Sequence, residues 1–177
     1  MKKTPYIILL ICVALTVTAS TIIKAPHAVN PMITRWELAK PYTKDYLDAM
    51  PEEFYSFRAT PEMRTYAQQY LHIAGITYRL LSIATGTPNP YPGDTLEHMP
   101  EMQSKKAVID VTMKSYDAMI EELKKMSDEQ LQEKLTVFGN EMTKDDVLFK
   151  AYENQAHHRG QTTVYLRLKG IKPPAEK

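Results

Sequence analysis

The placement of proline constrains this chain more than any other feature. A proline inside a helix removes one amide donor, and its ring clashes with the preceding turn. The chain has 12 prolines. Pro31, Pro41, Pro51 and Pro61 are evenly spaced, Pro88, Pro90, Pro92 and Pro100 crowd together, and the next is Pro173. Beyond Pro26, uninterrupted helices of five turns or more therefore have room only between Pro61 and Pro88 and between Pro100 and Pro173. Only 6 glycines occur in 177 residues, which disfavours turn-dense β architectures and glycine-rich phosphate loops.

Apolar periodicity fills those windows with helices. Residues 61–84 carry Tyr66, Tyr70, Ile73, Thr77 and Leu80 on one stripe and Ala67, Leu71, Ala74, Tyr78 and Leu81 on another. Two adjoining stripes predict a helix with a wide buried face, capped by Thr60 with Pro61 at its first position. Residues 31–50 read as helical but interrupted at Pro41, which predicts a kink or two shorter helices. Residues 104–126 predict a third long helix. Ser127 to Gln130 has the form of a capping box for a short helix through Lys134. Residues 135–139 read as a short extended piece. Thr143 to Asp146 caps a last helix that reaches about Leu168 and stops at Gly170. The segment from Gly86 to Asp94 is a stiff, extended loop. The predicted fold is all-α, a four-helix bundle forming a single domain over residues 20–177.

The first residues read as an address. Met1-Lys2-Lys3 is basic, residues 6–17 are almost wholly apolar, and Val17-Thr18-Ala19 ends in small residues. Twelve helical residues span about 18 Å, too short for a bilayer core of about 30 Å. The pattern predicts a signal peptide over residues 1–19 and export to the periplasm or the extracellular space. An uncleaved anchor extending through Ile22-Ile23 is the alternative. The one cysteine, Cys12, lies in this leader, so neither a disulfide nor a cysteine-based zinc site is available to the bundle. Lys plus Arg is 22 and Asp plus Glu is 21, a net charge of +1. That balance gives no basic footprint for nucleic acid.

Bundle cofactor sites are built from polar residues that interrupt an inward stripe. On the last helix, Asn154 and His158 share a face with Val147, Ala151 and Tyr165. Gln161 and Thr162 continue the polar cluster, and His157 projects away beside Glu153. On the second helix His72 lies at the edge of the apolar face, with Gly75 nearby to admit a close backbone approach. Adjacent residues such as His157 and His158 cannot chelate one ion together on a helix.

The string His157-His158-Arg159-Gly160-Gln161, followed by Val164-Tyr165-Leu166-Arg167-Leu168-Lys169-Gly170-Ile171-Lys172-Pro173, resembles the C-terminal signature of the DinB/YfiT-like superfamily. The segment Phe138-Gly139-Asn140-Glu141-Met142-Thr143 resembles the stretch before that family's last helix. Ala67 to Ala74, with His72, resembles the helix that carries its first metal ligand. The resemblance covers about residues 32–174. It implies a four-helix bundle holding a divalent metal, zinc or nickel, on three histidines.

Carried over by position, the ligands are His72, Asn154 and His158, with His157, Glu153 and Gln161 as supporting residues. Asn154 stands where the family pattern has histidine, and an amide oxygen is a poorer ligand for these metals than imidazole. Either Asn154 completes a weakened metal site or it hydrogen-bonds His158 in a metal-free pocket.

Two functions follow from the resemblance and from this departure. One is an exported metal-dependent hydrolase or transferase of a small-molecule substrate. The other is a non-catalytic binding or structural module of the cell envelope with a degenerate site. The resemblance also admits a homodimer. N-terminal sequencing of the exported product is expected to begin at Ser20; a product that starts at Met1 overturns cleavage.

Overall fold

The computed structural model describes residues 30–93 and 95–175, and the leader expected over residues 1–19 lies outside the described residues. The architecture is all-α, with four long helices: α1 (Pro31–Ala49), α2 (Tyr66–Thr85), α3 (Lys105–Lys125) and, after a short α4 (Asp128–Leu131) and a hairpin of β1 (Lys134–Val137) and β2 (Asn140–Thr143), α5 (Lys144–Leu168). No helix among the described residues is long and apolar enough to cross a membrane. Helix α2 is central, packing on both α5 and α3, while α1 covers α3 and part of α5.

Helix α1 runs unbroken through Pro41, where the sequence predicted a kink or a division. An internal proline costs about 3 kcal/mol. Burial on both sides of it offsets that: Trp36 and Leu47 are fully buried, with Ala39, Thr43 and Tyr46 between them. Each large apolar side chain so buried contributes about 1.5–3 kcal/mol.

Helix α2 begins five residues later than the sequence suggested. Thr60 does not cap it; Thr65 does. The Thr65 hydroxyl accepts from the Gln68 amide at 3.1 Å, and the Gln68 side chain accepts from the Thr65 amide at 3.0 Å. The next two donors are also met: the amides of Tyr66 and Ala67 bond the carbonyls of Phe57 and Tyr55 at 2.9 Å each. These free N–H groups need acceptors, and the segment before the helix supplies them only at this start point. Both predicted stripes of α2 are buried, except for half-buried Tyr78.

The expected extended piece is one strand of a hairpin, with Lys134 opposite Thr143 and Val137 opposite Asn140. The two-residue turn is Phe138-Gly139, at φ 51° and 79°. Positive φ at both central positions is the turn geometry that matches strand twist. Phe138 adopts it while exposed, with the Arg79 guanidinium 5.2 Å from its ring centre.

Helix α5 starts on the expected capping box of Thr143 and Asp146 and ends before Gly170, whose φ is 71°. The Ile171 amide closes the end on the Leu166 carbonyl at 2.9 Å. Removing the box that starts α2, by Thr65→Ala, is expected to cost about 1 kcal/mol, read as a lower urea midpoint with an unchanged slope.

Candidate functional site

Helices α2 and α5 bring His72 and His158 together, with ring centres 4.5 Å apart and planes inclined at 62°. Helical spacing explains how they meet. Gln69 lies on the buried face of α2, and His72 follows one turn later at its half-buried edge. His158 stands on the buried face of α5 with Ala151, Gln155, Thr162 and Tyr165. His158 is only 7% exposed.

Each imidazole is held through Nδ1. The His158 Nδ1 lies 2.7 Å from Gln69 Oε1, and the His72 Nδ1 lies 2.5 Å from Glu97 Oε1. Glu97 comes from a single 3₁₀ turn, Leu96–His98, that follows the proline-rich loop. Arg64 grips the same carboxylate, Nε to Oε2 at 2.5 Å and Nη2 to Oε1 at 3.3 Å. Burial works to raise the Glu97 pKa, but the bonds and charges of His72 and Arg64 outweigh it and hold the carboxyl down at about 2. An ionised carboxylate only accepts, so His72 donates from Nδ1. Both rings in their neutral form therefore carry a lone pair on Nε2.

Burial pushes the His158 pKa down to about 4, helped by His72, His157 and Arg64 and opposed by Glu97. At neutral pH the ring is an uncharged base.

An open cleft of about 550 Å³ reaches this pair at His72, walled by Arg58, Glu62, Arg64, Gln68 and His98. On the other side of His72 the packing is close. A Cβ added at Gly75 would lie 4.0 Å from the Leu96 Cβ, an ordinary contact, so the close approach expected at Gly75 is not what that glycine serves.

The remaining expected residues are placed differently from one another. Asn154 sits one turn before His158, and its Oδ1 is buried without a hydrogen-bond partner. It does not accept from His158 Nδ1, which is taken by Gln69. His157 is exposed; its Nε2 lies 2.8 Å from Gln161 Nε2, and its ring packs edge-on to His158 at 5.0 Å. Gln161 belongs to the same network, accepting from Gln69 Nε2 at 2.9 Å. Glu153 is exposed. Among the described residues, no three His, Cys, Asp or Glu side chains form a metal-binding group.

Gln69, Glu97 and Arg64 are the residues that sequence reasoning missed. Gln69 carried a signal: it lies three residues after Tyr66 and four before Ile73, a polar group within the buried stripe. Glu97 carried none, because a loop has no period.

The protein is thus a four-helix bundle with a polar histidine pair set between two helices. The DinB family model matches residues 27–176, and the chain belongs to the DinB family. It is 26% identical over 149 residues to a Bacillus subtilis (strain 168) protein named uncharacterized protein YrdA, covering 84% of this chain and 87% of that one. It is similar to the crystal structure of a DinB-like protein from Bacillus cereus ATCC 10987, with a TM-score of 0.71 and 26% identity over 81% of this chain and 94% of that one. The fold is shared with the DinB-like protein YjoA of Bacillus subtilis, at a TM-score of 0.67 and 17% identity, covering 84% and 98% of the two chains.

The two depressed pKa values give acid sensitivity a definite sign. The unfolded chain binds a proton at His158 near 6.5, and the folded chain only near 4. Stability is therefore lost as pH falls through that interval. Glu97 contributes stability above its ordinary 4.5 that is lost toward 2. Urea unfolding in chelator is expected to weaken between pH 6.5 and 4, and His158→Gln is expected to flatten that part of the profile.

Proposed function

We propose that this DinB-family protein binds a divalent transition metal through Nε2 of His72, Nε2 of His158 and Oδ1 of Asn154, and that it acts on a small molecule entering by the cleft. The observation that carries this reading is the pair of imidazoles 4.5 Å apart, each held through Nδ1 by an acceptor and each left with Nε2 as its lone pair. Metal-binding histidines usually donate their other ring nitrogen to a carboxylate or carbonyl, which sets ring orientation and basicity. The pairs Glu97–His72 and Gln69–His158 have this form. Support for the third donor is the Asn154 Oδ1, buried with no partner; such a group costs about 1–3 kcal/mol unless something satisfies it.

The donor set fits a weak or selective site rather than a tight zinc cage. Two imidazoles suit zinc or nickel, and one amide oxygen suits them less well. A divalent ion held there with an open position would supply Lewis acidity for hydrolysis or group transfer. The chain's own residues do the rest. Glu97 and Gln69 orient the rings, His72 and Arg64 together hold Glu97 ionised, and the cleft admits the substrate beside His72. We further propose that this chemistry takes place outside the cytoplasm, on the reading of residues 1–19 as an export signal.

The test is elemental analysis of protein purified without a histidine tag and equilibrated with zinc or nickel. About one equivalent is expected, reduced by His158→Ala and weakened about 10–100-fold in affinity by Glu97→Gln. Asn154→His is expected to tighten binding. Less than about a tenth of an equivalent in the natural chain, with full binding by Asn154→His, would identify a lapsed site and favour the non-catalytic envelope module.

A further inference from the structure

The hydrogen bonds around the histidine pair form a directed relay whose origin lies outside the proposed ligand set. The Tyr165 hydroxyl donates to the Arg64 carbonyl at 2.7 Å. Its single proton is thereby used, so toward Gln69 it accepts. Gln69 Nε2 lies 3.0 Å from that oxygen and 2.9 Å from Gln161 Oε1. Both neighbours are acceptors, which fixes the Gln69 amide with its nitrogen toward them and its carbonyl toward His158. The carbonyl is 2.7 Å from His158 Nδ1. An amide oxygen has no proton to give, so the proton on the neutral ring must sit on Nδ1.

Of the two acceptors, Tyr165 is the one that fixes the direction, because Gln161 is oriented in turn by its contact with His157 at 2.8 Å. The Arg64 carbonyl is backbone, and a carbonyl never donates. The polarity is therefore imposed from the main chain at the start of α2, through one hydroxyl and one amide, onto the ring. Gln69 is 2% exposed and Tyr165 fully buried, which keeps water from offering alternative partners.

We propose that Gln69, with its amide fixed by Tyr165 and Gln161, is the positioning residue that sets the tautomer of His158, keeping the proton on Nδ1 and the lone pair on Nε2. This rests on the reading of the histidine pair as the functional site. It goes beyond that reading by tracing the orientation of Gln69 itself to Tyr165, Gln161 and the Arg64 carbonyl. A ring with Nε2 protonated would present a donor where a Lewis base is needed, and each binding event would first have to move that proton.

The test is a long-range proton–nitrogen correlation spectrum of the metal-free full chain at pH 8 with chelator, the His158 ring being assigned by its loss in His158→Gln. The natural protein is expected to show Nδ1 protonated and Nε2 bare as a single tautomer. Gln69→Met fills the space without an acceptor and is expected to shift both ring nitrogens toward the exchange-averaged or Nε2-protonated pattern, with the circular dichroism unchanged. Tyr165→Phe combined with Gln161→Met keeps Gln69 but removes both acceptors for its amide, and is expected to produce the same shift. An Nε2-protonated His158 in the natural protein overturns the proposal. So does an unchanged tautomer in either variant that keeps the native dichroism spectrum. Because the spectra are recorded without metal, failure of metal uptake leaves this result standing, and a wrong tautomer leaves metal uptake to be judged separately.

Discussion

The bond from His158 Nδ1 to Gln69 Oε1, 2.7 Å long, is the contact on which the interior of this bundle depends. A buried imidazole has two nitrogens to satisfy and one proton to place. Left without a partner, either nitrogen would cost stability comparable to a lost hydrogen bond. Gln69 takes the proton-bearing nitrogen and leaves the other as a base. The same choice binds α2 to α5, the helices that build the site, because the amide that meets His158 on one side meets Tyr165 and Gln161 on the other.

A second contact mirrors the first at His72. There the acceptor is a charge, Glu97, kept ionised by His72 itself and by the fork of Arg64. The main chain closes the circuit, since the Arg64 carbonyl is the group to which Tyr165 donates. Arg64, Glu97, His72, His158, Gln69 and Tyr165 thus form a ring of contacts in which each member restrains the next. Such networks hold their members more firmly than isolated pairs do. They also explain why the start of α2 matters to the site: Thr65 caps the helix immediately after the residue that supplies both the guanidinium and the carbonyl.

Polar groups elsewhere in the core play a different part. Tyr116, Thr43, Gln155 and Arg159 share hydrogen bonds of 2.9–3.0 Å across α1, α3 and α5. Arg159 lies over the Tyr42 ring, 4.5 Å from its centre. This cluster ties three helices together through shared hydrogen bonds, with Gln155 Nε2 alone among its atoms left buried without a partner, and it stands apart from the histidine pair. The histidine signature of α5 therefore serves two purposes, with His158 turned to α2 and Arg159 turned to α1.

The sequence by itself determined the long helices of the second half, the bundle class, and the placing of His158 on an inward face and His72 at the edge of one. Those properties follow from local rules: periodic apolar residues, capping hydroxyls, and prolines that set where a helix can lie. The short helix expected through Lys134 ends at Leu131, and Lys134 opens β1. The sequence placed the start of α2 five residues early and broke α1 at Pro41, because propensity counts the cost of a proline but not the packing that offsets it. Only the tertiary structure decided which acceptor each imidazole meets. Gln69 was legible as a polar residue on an apolar stripe, but Glu97 sits in a loop, 25 residues from His72, where no period announces it. The difference is physical. Helical faces are set by the repeat of the backbone, whereas the pairing of a loop carboxylate with a ring nitrogen is set by how separate segments pack.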